Sequence, residues 1–147
     1  MNSSSWAGIL VGGLLPAVAF GVGGVFQKAS TQAGISFGPY LVSLGLGATL
    51  AGGAFWLLDR HPHYTHTSVM YAFLIGACWT LAMGLVALGL TRYGVPLSKL
   101  APLYNMNTLI VVLLSLWIYS EWKNVNVASL LIGAVLIVVG GILVARA

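Results

Sequence analysis

Charge is what this sequence lacks most. Only 5% of its 147 residues are charged, six Lys and Arg against two Asp and Glu. Soluble domains carry about 25%. So little charge cannot cover a surface that faces water, and a soluble globular domain is excluded. The one cysteine, Cys78, lies inside an apolar run and excludes an intrachain disulfide. The acidic residues, Asp59 and Glu121, both fall at the ends of apolar runs, so a proton relay through a carboxylate in mid-membrane has no residue to carry it. No Ser/His pair shares an apolar run, and the histidines His61, His63 and His66 sit in one loop. An intramembrane enzyme is not expected, and no cofactor is implied. The cations form no clustered basic face, which argues against nucleic acid as a partner.

What fills the chain instead is apolar: 59% hydrophobic residues and a mean hydropathy of +0.99. The runs are continuous, whereas the strands of a membrane barrel alternate polar and apolar residues. The expected fold class is therefore all-α, an integral membrane protein of five helices over residues 6–26, 37–58, 68–90, 97–120 and 127–145, forming a single domain over 1–147. A helix needs about 20 residues to cross the roughly 30 Å hydrocarbon core. Ala17-Val18-Ala19 has the form of a signal-peptide cleavage site, but no Lys or Arg precedes it, and the first segment is expected to be retained.

In chain order, the first segment is rich in glycine, with Gly8 and Gly12 four apart and Gly13, Ala17 and Gly21 likewise. Such spacing lets helices approach closely in lipid; it also suits a flexible helix beside a substrate path. Pro16 should bend it. Gln27 and Lys28 read as the start of a connection, with Lys28 either snorkelling to the interface or pointing inward at a substrate. Pro39 suits the first turn of the second segment, and Tyr40 and Trp56 lie near its ends as interfacial aromatics do. The loop from Asp59 to Thr67 is the most polar stretch. Its three histidines match no familiar metal spacing, so a solvated loop is expected and no metal. In the third segment Gly76, Thr80 and Gly84 make a small-residue stripe. Trp79 lies near its middle, either packed in the core or lining an aromatic cavity.

The fourth segment carries the densest polar signal. Pro102 frees a carbonyl one turn back and bends the helix, and Tyr104, Asn105, Asn107 and Thr108 follow it. Polar groups at this depth should face another helix or a cavity. Interhelical hydrogen bonding and substrate contact are both open for them. The break Glu121-Trp122-Lys123-Asn124 then leads to a last run that Asn124 or Asn126 can cap and Arg146 anchors.

These residues resemble an EamA-type repeat of the drug/metabolite transporter superfamily. The likeness rests on Leu100-Ala101-Pro102, Glu121 at the end of the same segment, the final LLIGAVLIVVGGILV with Gly133 and Gly140-Gly141, and a first segment ending Gly23-Gly24-Val25-Phe26-Gln27-Lys28. It implies family-motif roles for Lys28, Pro102, Glu121, Gly133 and Gly140. Members are commonly two five-helix repeats in inverted orientation, and this chain holds one. The resemblance implies a half-size transporter of small metabolites, amino acids or drugs, working by alternating access around a midplane site. It would pair with a copy of itself or with a homologous half-transporter. Trp79, Tyr104, Asn105, Asn107 and Thr108 are the candidate cavity residues, and Pro16 and Pro102 the candidate bends. Small multidrug-resistance relatives use four helices and a membrane-embedded glutamate; this chain departs on both counts.

Five spans put the two ends on opposite sides. Arg60 and Lys123 lie on one side, and Lys28, Arg92, Lys99 and Arg146 on the other. The bias points to a cytoplasmic C-terminus in the cytoplasmic (inner) membrane. It is small enough to suit dual insertion and an antiparallel homodimer. The alternative function is a non-transporting membrane subunit whose polar residues bind a partner helix.

Overall fold

The computed structural model of the protein describes residues 3–123 and 125–146, with side chains except at positions 3–5 and 121. The described residues are helical, without strands, and five helical segments are long and apolar enough to cross a membrane: Trp6–Gln32, Phe37–Leu58, His66–Thr91, Leu97–Ile118 and Val127–Arg146. The protein is an integral, multi-pass, all-α membrane protein. Its surface agrees. Leu57, Leu50, Phe55 and Trp117 are each at least 75% exposed. Lipid tails are as apolar as these side chains and supply no drive to bury them.

The chain divides into two compact units, 1–94 and 95–147. In the first, α1 (Ser3–Ile9) passes through a π-helical turn, Leu10–Leu14, into α2 (Leu15–Gln32). Pro16 has no N–H to give to the Gly12 carbonyl. The bend expected there takes the form of a widened turn in which Leu15 N–H reaches back five residues to the Leu10 carbonyl. The sequence reading ends this segment at residue 26, but α2 continues through Gln27 and Lys28 to Gln32. No glycine or proline interrupts residues 25–33; the stop comes at Gly34, whose φ of 86° only glycine adopts freely.

α3 (Phe37–Leu58) has the expected bounds. α4 (His66–Thr91) starts two residues before its expected position because Thr65 and Ser68 form a capping box. The Thr65 hydroxyl accepts the Ser68 N–H at 3.2 Å, and the Ser68 hydroxyl accepts the Thr65 N–H at 2.9 Å. Thr65→Ala should cost about 1 kcal/mol, read as an earlier midpoint when the purified protein is unfolded in mixed micelles.

α2, α3 and α4 pack together at a few small or polar points. Gly84 of α4 lies so close to α3 that a Cβ there would meet Phe37 Cζ at 3.0 Å and Leu41 Cδ2 at 3.3 Å. Gln27 is buried. Its Nε2 donates to the Met83 carbonyl of α4 at 3.2 Å, and the buried Tyr40 of α3 brings its hydroxyl beside the same amide. Gln27→Leu keeps the volume and removes the donor. The expected loss is about 1 kcal/mol, measured by the same unfolding titration and smaller in a Tyr40→Phe background.

In the second unit, α5 (Leu97–Tyr104) and α6 (Asn107–Ile118) both pack on α7 (Val127–Arg146). α6 stops two residues short of its expected end, and Ser120 takes a φ of 54° before a 3-10 turn at Glu121–Lys123. The side chain of Glu121 and the cap expected at Asn124 lie outside the described residues. Asn126 does the capping, its Oδ1 accepting Ser129 N–H at 3.1 Å.

Candidate functional site: a break in the fourth membrane segment

The fourth segment is not one helix. Pro102 cannot donate to the Ser98 carbonyl, and α5 ends two residues later. At the break, Met106 N–H donates to Leu103 O, Thr108 N–H to Asn105 O and Leu109 N–H to Met106 O, each at 3.1 Å. All three reach back three residues instead of four, which tightens the turn. The helical partner that Met106 forgoes is the Pro102 carbonyl. That oxygen abuts α7 instead, 3.1 Å from where a Cβ of the buried Gly141 would stand. Only a residue without a side chain lets α7 come this close.

The break lies about 12 Å from the Leu97 end of the span, at 1.5 Å per residue. It gathers Tyr104, Asn105, Asn107 and Thr108. The continuous helix expected from the sequence would have put Tyr104, Asn107 and Thr108 on one face; here Tyr104 ends α5, and Asn107 starts α6. Thr108 is satisfied locally, its hydroxyl donating to the Asn105 carbonyl at 2.9 Å. Asn105 and Asn107 are exposed, and among the described residues their amides have no hydrogen-bond partner. Tyr104 is half-buried. α5 ends and α6 begins here, and the three-residue bonds of Met106, Thr108 and Leu109 join them across the turn. The free amides of Asn105 and Asn107 can each donate to and accept from a small polar solute.

Trp79 belongs to the first unit, on α4, 38% exposed. Lys28 is exposed on α2. Gly133 and Gly140 of α7 have nothing within 4 Å of where a Cβ would be; the glycine that makes the close approach is Gly141, next to Gly140. Among the described residues, no three metal-ligating side chains come together.

No family model, curated protein or solved structure matches this chain. Its site therefore stands on its own geometry. Two features lie outside the sequence reading. Gln27 was placed in a connection, and only its partner 56 residues away in the chain shows it as a buried tie. Gly141 was one glycine of a pair, and nothing local distinguishes it from Gly140.

Proposed function

We propose that this protein is a membrane transporter of small metabolites, amino acids, drugs or related solutes, a half-size relative of the drug/metabolite transporters that works by alternating access. The observation that carries the reading is the broken fourth segment with the unpartnered amides of Asn105 and Asn107. Unpaired polar side chains are costly in hydrocarbon and persist where they line a water-filled path. Discontinuous helices form solute sites in secondary transporters. Tyr104 and Thr108 complete the polar rim.

The five-segment unit acts as a dimer, either an antiparallel homodimer or a pair with a homologous half-transporter. Supporting this are the small-residue rows Gly8–Gly12 and Gly13–Ala17–Gly21, whose glycines have nothing within 4 Å and are open to a second helix. The cytoplasmic membrane is the proposed location.

Purified protein in liposomes tests the function. Saturable, protein-dependent uptake of at least one solute from a panel of amino acids, amines and drugs is the expected result. No uptake above empty vesicles across the panel would leave the non-transporting subunit. Orientation tests the pairing: with Cys78→Ala and a single cysteine between Asp59 and Thr67, about half the molecules should label from outside. A single orientation would exclude the antiparallel homodimer.

A further inference from the structure

Where α3 ends, the first unit carries an open groove of about 690 Å³ at the expected membrane boundary. Phe55 and Trp56 of the last turn of α3 form one wall, and His63 and Tyr64 of the following loop form the other. Asp59 stands between them as the residue that closes α3, its N–H bonded to the Phe55 and Trp56 carbonyls at 3.1 and 3.2 Å. Its Oδ1 accepts the His61 N–H at 3.1 Å, which holds the carboxylate in place. On the far side the capping box of Thr65 and Ser68 pins the loop to α4. The groove is thus framed by two fixed helix ends.

Its lining has one chemical character. Asp59 is the one acid among aromatic and apolar side chains, Pro62 and Val69 completing the lining, and neither Lys nor Arg lines the groove; Arg60, next in the chain, is not among the lining residues. Aromatic faces attract cations, and most strongly when the site is partly dehydrated. The walls are also open, Phe55 being 75% and Trp56 66% exposed, and both stand in the last turn of a helix long and apolar enough to cross a membrane. A ligand with a cationic head and an apolar tail satisfies both halves: the head meets Asp59, and the tail runs along the lipid-facing side of Phe55. An anionic head would meet the carboxylate and the negative rings, and an uncharged apolar molecule would leave Asp59 unused.

We propose that this groove is a binding site for an amphipathic ammonium, with its head held by Asp59 between the rings of Trp56 and Tyr64. The same chemistry has two sources: the amine headgroup of a zwitterionic phospholipid and a free alkylammonium. The site lies within the first unit and does not depend on the break in the fourth segment.

The test uses the full chain carrying fluorotryptophan, in nanodiscs of phosphatidylglycerol at pH 8, above the ordinary histidine range. The Trp56 fluorine resonance, assigned through Trp56→Phe, is followed while octyltrimethylammonium is added, and separately while phosphatidylcholine replaces part of the lipid. A saturable shift that needs at least tenfold more probe in Asp59→Asn is the expected result. The Asn amide oxygen still accepts the His61 N–H, and unchanged resonances of Trp6, Trp79, Trp117 and Trp122 report an intact fold. A shift with phosphatidylcholine alone assigns the site to the lipid headgroup, and a shift with octyltrimethylammonium alone to a free cation. Tyr64→Leu is the second variant, expected to weaken the response several-fold. No saturable shift with either probe, or the same concentration dependence in wild type and both variants, overturns the proposal.

Discussion

Asn105→Leu is expected to lower solute flux by about ten- to a hundredfold while leaving membrane insertion unchanged. Leucine has the same branched shape and number of side-chain heavy atoms, and it suits the ordinary helical backbone at this exposed position, where φ is −67°. The hydrogen bonds that shape the turn use the Asn105 backbone, its N–H to Ala101 and its carbonyl to Thr108, and both survive. What is removed is an amide with no protein partner among the described residues. If a solute pairs with it, the solute is left with an unmet polar group. That costs about 1–3 kcal/mol, and each tenfold corresponds to about 1.4 kcal/mol. Uptake into liposomes at matched protein density measures the effect, with protease resistance of the reconstituted chain as the insertion control. Flux equal to wild type would remove Asn105 from the site.

Gly141→Leu should have the largest effect on stability. An added Cβ would lie 3.1 Å from the Pro102 carbonyl oxygen and 3.6 Å from Met106 Cγ. The nearer neighbour is backbone at a helix break, which cannot swing aside as a long side chain does. Leucine adds three further carbons, so α7 must move away from α5. Overpacking of this kind costs about 1–3 kcal/mol and at times more. It outweighs the roughly 1 kcal/mol by which leucine is the better helix residue. Gly140→Leu is the control: nothing lies within 4 Å of its Cβ position, and it should unfold at or above the wild-type midpoint. Unfolding titrations of both variants in mixed micelles decide it, and equal midpoints would mean that α7 does not rest on the Pro102 carbonyl.

The five membrane segments were legible because each is a continuous apolar run, and hydrocarbon leaves the backbone few options but a helix. Their ends were legible where a local signal sets them, as Pro39 does for α3. The end of the first segment was misread because Gln27 and Lys28 look like an exit to water. What keeps Gln27 inside is a carbonyl on α4, and no local pattern reports such a pairing. At the fourth segment, Pro102 and the following amides marked the place and the polarity. They did not reveal that the helix stops and restarts, because that depends on which carbonyl Met106 chooses and on how close α7 comes. The glycines show the same limit. Gly84 and Gly141 are tightly packed while Gly76 and Gly140 are open, and spacing alone treats each pair alike. The groove beside Asp59 was read only as a solvated loop, since its walls come from both ends of a turn whose shape the sequence does not spell out.

The proposed transport requires the break at Asn105 to open onto water within the membrane. Solute identity does not enter its most direct test. With Cys78→Ala as background, a single cysteine at 105 is compared with one at His63 in the loop and one at Ile110 on α6, which is 60% exposed on an apolar helix. Reaction with a small charged methanethiosulfonate is timed in liposomes. The cysteine at 105 is expected to react within about tenfold of the loop control, and the one at 110 to be inert. A cysteine at 105 as inert as the one at 110 would contradict the proposed transport.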